Sequence, residues 1–98
     1  MKIKWKKIRN IIKKKYNKDI NIFLLSTNNV SDDINAFTDK INNIYINGNN
    51  IKEDYDILKA VSHELTHILF PNEKDNTDEF ESLMMEINKN LELEYRIK

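Results

Sequence analysis

Cysteine is absent from these 98 residues, and glycine and proline occur once each. The first absence excludes a disulfide framework, the usual staple of a domain this short. The scarcity of the other two leaves turns to asparagine and aspartate, which tolerate left-handed backbone. No stretch approaches the roughly 20 apolar residues of a membrane span. The longest apolar run, Ile22 to Leu25, is too short for the core of a signal peptide. These absences lead us to expect a soluble, cytoplasmic chain.

What is present is globular in composition, 40% hydrophobic and 33% charged. A chain of this length makes one domain, residues 1–98, with a small core that buries about two-thirds of the unfolded surface. Without disulfides, a bound metal or self-association gains weight as an additional source of stability.

The formal net charge of zero conceals an asymmetry. Residues 1–18 hold nine Lys/Arg and no acid, whereas residues 19–98 hold seven Lys/Arg against sixteen Asp/Glu, a net of −9. A basic arm of this kind suits nucleic acid. Trp5, Ile8, Ile12 and Tyr16, however, form an apolar stripe at helical spacing, and such a stripe needs a core to cover it. The expectation is therefore an amphipathic backing helix over 3–17 with a solvated lysine face, and no nucleic-acid partner.

Further along, Ile20 to Ser26 is β-branched and aliphatic and reads as a buried strand. Asn28-Asn29 and Ser31-Asp32-Asp33 are turn chemistry. Asn35 to Thr38 has the length of a short strand, and Ile41 to Asn47 alternates with Ile44 and Ile46 on one face. From about Glu53 the period becomes helical, with Leu58, Val61, Leu65 and Ile68 on one stripe, and Pro71 ends that helix after Phe70. Asn76, Thr77 and Asp78 are N-cap types that open a last helix with Phe80, Leu83, Met84, Ile87 and Leu91 on its apolar face. Its last eight residues alternate with period two yet have helix-forming composition; we expect the helix to continue.

The chemistry sits in the middle of the first of these two helices. His63-Glu64-Leu65-Thr66-His67 is an H-E-x-x-H sequence. Four residues along a helix advance about 6 Å and turn about 40°, so both imidazoles leave the same face and can share one ion. Glu64 flanks the pair, where its carboxylate can hold and deprotonate a metal-bound water. The chain has only two histidines, and random placement gives this pattern on the order of 0.2% of the time. A purely structural zinc would saturate its positions with Cys and His. Neither a cysteine nor a third histidine exists here, so zinc with an open position is the expected cofactor.

A third protein ligand has to come from another element. Asp75, Asp78, Glu79 and Glu81 lie where a helix returning antiparallel after Pro71 would meet the pair, and helical geometry alone does not choose between Glu79 and Glu81.

This arrangement resembles the gluzincin metallopeptidases, with a downstream glutamate on a second helix. Asp78-Glu79-Phe80-Glu81-Ser82 is similar to the Glu-Phe-x-Ala-Asp stretch of CAAX prenyl peptidases and related membrane-embedded peptidases, and Asn35-Ala36-Phe37 resembles their Asn-Ala-Phe rim strand. The likeness spans roughly Asn35 to Glu81, about half of the chain, and its size makes the chain similar to the minigluzincins. The resemblance implies a zinc-dependent peptidase with Glu79 as third ligand, Glu64 as general base, and a rim strand at Asn35, Ala36 and Phe37 that binds an extended peptide. Leu83 stands where the family often has an aspartate that orients a histidine, so another residue has to fix that tautomer. Tyr55, Tyr95 and Arg96 are the candidate oxyanion donors. The alternative from another class is a non-catalytic zinc-binding or partner-binding regulatory domain.

The expected architecture is α+β: an N-terminal backing helix, a small three-stranded twisted sheet with an exposed rim strand, a zinc-binding helix and a glutamate helix. Nineteen residues follow Glu79 and carry Met84, Met85, Ile87, Leu91, Leu93, Tyr95 and Ile97. So much apolar surface needs cover. We expect residues from about 83 onward either to mask the cleft, giving a latent zymogen-like form, or to exchange between copies in a homodimer.

Overall fold

A computed structural model describes residues 3–25 and 34–97. The turn chemistry at Asn28-Asn29 and Ser31-Asp33 lies outside the described residues, as does the last residue of the first expected strand. The elements are α1 (Trp5–Tyr16), β1 (Asn21–Leu25), β2 (Ala36–Thr38), β3 (Asn43–Asn47), a single 3-10 turn (Gly48–Asn50), α2 (Asp54–Leu69) and α3 (Asp78–Ile97). The architecture is α+β, as the periodicity implies.

The sheet order is β1-β3-β2. β3 pairs parallel with β1, Ile44 opposite Ile22, and antiparallel with β2, Ile46 opposite Ala36. The short β2 is thus an edge strand, in the place expected of the rim. Strand alternation divides β3 cleanly: Ile44 and Ile46 are fully buried beneath the helices, while Tyr45 stacks between Phe23 and Phe37 across the other face, with centroids 5.2 and 4.9 Å away.

Local chemistry sets the helix ends. α1 stops at Asn17, whose left-handed backbone (φ 55) lets its N–H reach the Lys13 carbonyl at 2.9 Å. α2 starts where the Asp56 carboxylate accepts the Lys52 and Glu53 N–H groups, each at 3.0 Å, which holds the Asp56 carboxyl below its usual range. It ends at Phe70, ahead of Pro71.

The core gathers one stripe from each helix onto β3. Ile8 and Ile12 of α1, Leu58, Val61 and Leu65 of α2, and Leu91 of α3 are all fully buried. The basic helix is therefore a backing helix whose lysines are what remains outside. α3 runs unbroken to Ile97, so the ambiguous last eight residues are helical at least that far. Its final turns lie along α1: the Lys4 N–H donates to the Tyr95 hydroxyl at 3.0 Å, the Lys7 ammonium to the Tyr95 carbonyl, and the Asn90 amide to the Tyr16 hydroxyl at 3.3 Å. Within one chain this segment completes the core. No helix among the described residues is long and apolar enough to cross a membrane.

Candidate active site

α2 buries Leu58, Val61 and Leu65 in the core and carries His63, Glu64 and His67 alongside that stripe, with both imidazoles against Phe80 of α3. The two imidazole centroids lie 5.2 Å apart, as the i, i+4 spacing requires. Both Nε2 atoms converge on one oxygen. Asp75 Oδ1 is 2.8 Å from His67 Nε2 and 3.2 Å from His63 Nε2. Among the described residues, His63, His67 and Asp75 form the one group of three ligand-type side chains close enough to hold an ion.

The carboxylate at the pair is thus that of Asp75 rather than Glu79. Asp75 stands on the loop between α2 and α3, and the backbone geometry of that loop places it there. Asn76 takes a left-handed conformation (φ 65), and the Thr77 hydroxyl donates to the Lys74 carbonyl at 2.8 Å while accepting the Phe80 N–H at 3.1 Å. Glu79 follows on the first turn of α3, exposed and outside this group. Between Glu79 and Glu81, Phe80 faces the imidazoles, fully buried, with its centroid 4.6 Å from His67 and 5.0 Å from His63.

Two imidazoles and a carboxylate are a donor set that can hold a divalent metal ion, zinc among others. Zinc–nitrogen bonds of about 2.0–2.1 Å in a tetrahedron place ligand atoms about 3.3 Å apart. The two Asp75–histidine separations, 2.8 and 3.2 Å, are close to that edge. Two imidazoles and one carboxylate leave a fourth position open.

Burial tunes the titratable groups. Glu64 is only 6% exposed, and desolvation, followed by the nearby Asp75 charge, pushes its carboxyl up to about 7. Desolvation also lowers the His67 pKa, opposed by Asp75 and assisted by His63 and by the Lys40 ammonium. The lowered value favours a neutral His67, the form that binds metal. The Nδ1 atom of His67 is buried, and among the described residues no hydrogen-bond partner reaches it. The substitute partner expected in place of the family aspartate is not found at this nitrogen among the described residues.

His63 and Glu64 open onto a cleft of about 450 Å³ between α2 and β2, bounded by Asn35, Ala36, Ile51 and Ala60, with Met84 as the contribution of α3. Among the described residues none beyond Met84 lines it, so the last turns of α3 to Ile97 do not cover it in a single chain. Of the expected rim, Asn35 and Ala36 line the cleft, whereas Phe37 alternates to the opposite face of the sheet and stacks on Tyr45. Asn35 is held by the Asn50 amide at 2.9 Å, and its carbonyl accepts the Asn47 N–H at 2.9 Å. None of the three expected oxyanion donors is in the cleft lining: Tyr95 is bonded to α1, Arg96 pairs with Glu92 at 3.1 Å, and Tyr55 borders a separate groove with Met85 and Leu93. Sequence reading missed Lys40, whose left-handed turn position (φ 64) brings its charge near His67 without any periodic signal.

The chain matches no family model, no curated protein and no solved structure. The functional reading rests on the geometry and on the motif resemblance.

Proposed function

We propose that this chain is a zinc-dependent peptide hydrolase of the gluzincin type. The observation that carries the reading is one constellation: His63 and His67 converge on a carboxylate oxygen with buried Glu64 beside them, at the wall of a cleft flanked by an edge strand. His63 and His67 hold the ion, and a carboxylate from the 75–79 segment completes the protein ligands. Asp75 stands at the pair, and Glu79 is the residue that the family resemblance names.

A bound zinc ion supplies Lewis-acid polarisation of a carbonyl and lowers the pKa of water at its open position. The protein does the rest. An extended substrate adds along the outer edge of β2 at Ala36, beside Asn35, by antiparallel pairing, which sets the scissile carbonyl over the histidine pair. Glu64 takes one proton from the attacking water as its oxygen bonds to the carbonyl carbon. It then delivers that proton to the leaving nitrogen as the carbon–nitrogen bond breaks. Burial suits Glu64 to both steps: a carboxyl near 7 in the metal-free protein is readily protonated, and a neighbouring cation draws it back toward the carboxylate.

Metal analysis of the purified chain after zinc reconstitution tests the first half of this reading, and digestion of a peptide library tests the second. One zinc per chain, lost in His63→Ala, and cleavage lost in Glu64→Ala with zinc retained, are the expected results. A chain that takes up no zinc overturns the reading. Full cleavage by Glu64→Ala assigns the activity to a contaminant. Zinc without cleavage leaves a non-catalytic zinc-binding domain.

A further inference from the structure

Histidine ligands are usually oriented through their second nitrogen, which donates to a carboxylate, a carbonyl or water and fixes both tautomer and ring angle. His67 has no such partner. Its Nε2 meets Asp75 at 2.8 Å, on the side where an ion would sit, and among the described residues its buried Nδ1 meets no acceptor, so no hydrogen bond orients the ring from its far side. What surrounds it is aromatic. Phe80 lies against His67 at 4.6 Å with the planes tilted by 38°, and against His63 at 5.0 Å and 61°, while the two imidazoles meet edge to face at 68°. The three rings form one packed group, of which Phe80 is the only member without a ligand atom.

Phe80 is itself firmly placed. It is fully buried in the first turn of α3, and its N–H is tied to the Thr77 hydroxyl that caps the helix. A buried phenyl ring has two side-chain torsions and sits in one staggered well, so its face is a fixed wall. A wall against both imidazoles restricts the same rotation that a hydrogen bond would restrict.

We infer that Phe80 is a positioning residue for both histidine ligands, orienting by ring packing what His67 lacks a hydrogen bond to orient. The inference rests on the metal-binding reading above and deepens it. Replacing the ring with an aliphatic side chain keeps the site apolar but removes the wall, so both imidazoles gain angular freedom and the metal pays for their ordering. Loss of a ligand-orienting partner typically weakens metal binding by about 10–100-fold.

Cobalt(II) provides the test, because its visible absorption reports ligand geometry as well as occupancy. The full chain, Phe80→Leu, Phe80→Met, Phe80→Tyr and the core control Ile87→Val are titrated with Co²⁺ against a competing chelator, and thermal unfolding is recorded for each. We expect Phe80→Leu and Phe80→Met to bind Co²⁺ about tenfold or more weakly, with an altered visible spectrum. Phe80→Tyr retains affinity within about threefold and an unchanged spectrum, and Ile87→Val loses stability but keeps both. Phe80→Met, whose unbranched side chain adapts to the space left by the ring, decides the matter if the leucine variant does not fold. Native affinity and spectrum in a folded aliphatic variant overturn the inference while leaving the metal reading intact. An unaltered chain that binds neither Co²⁺ nor Zn²⁺ overturns the metal reading, and the inference with it.

Discussion

Asp75 Oδ1 lies 2.8 Å from His67 Nε2, and the same atom serves His63 at 3.2 Å. A carboxylate oxygen shared in this way either is a ligand already at its post or rests where the ion comes to sit. On the proposed reading Asp75 is the third ligand. Asp75→Asn should therefore weaken zinc binding by roughly tenfold or more in chelator competition, and Glu79→Gln by less than about threefold. The reverse order would return the third ligand to Glu79.

Glu64 gives a pH dependence that can be read without substrate. Its carboxyl rises from 4.5 to about 7 in the folded, metal-free chain, so the folded state favours the protonated form. The corresponding stability is fully present below about pH 4.5 and is lost as pH rises through about 7. Glu64→Gln removes that loss. In urea unfolding with chelator present, the variant should exceed the unaltered protein by about 2–3 kcal/mol at pH 8, with the gap closing by about pH 4. A gap independent of pH would show that Glu64 is not held in its raised state.

Thr77 ties the loop to the helix through two bonds of one hydroxyl. Thr77→Ala should cost about 1 kcal/mol by loss of the cap, and Thr77→Ser should recover most of it. Because Asp75 and Phe80 flank this cap, the alanine variant should also weaken metal binding. Unchanged zinc affinity with lowered stability would separate the cap from the site.

The parts of this molecule written in periodic patterns were legible in the sequence. The stripes of α1 and α2 and the alternation of β3 place Ile8, Leu58, Val61 and Ile46 in the core, and the i, i+4 spacing places both imidazoles on one face. Asp75 was one acid among four near Pro71, and choosing it required a turn built on Asn76 at positive φ, which has no periodic signature. Phe80 read only as an apolar position on α3; that its ring meets both imidazoles depends on how α2 and α3 cross. Phe37 matched a rim motif, yet strand alternation sends its side chain away from the cleft. Helix crossing decides the Phe80 contact, whereas a local turn and the strand's own alternation decide the other two.

The end of α3 separates two uses of the same residues. If it masks the cleft or is exchanged between copies, a chain ending at Asn90 should remain folded, become smaller in solution and expose its metal. The contacts within one chain argue otherwise. Leu91 is fully buried, Tyr95 accepts from the Lys4 N–H, and its carbonyl takes the Lys7 ammonium, so the final turns hold α1 onto the body. Removing a buried leucine side chain alone costs about 2–5 kcal/mol, a large share of the stability of a domain this small. Truncation after Asn90 should therefore unfold the chain or lower its melting temperature steeply, and Leu91→Ala should reproduce much of that loss without shortening it. Circular dichroism melts on both variants measure this, and size-exclusion chromatography fixes the oligomeric state. A truncated chain that stays folded, with α1 still protected from hydrogen exchange, would mean that these turns are dispensable to the core and free to act elsewhere.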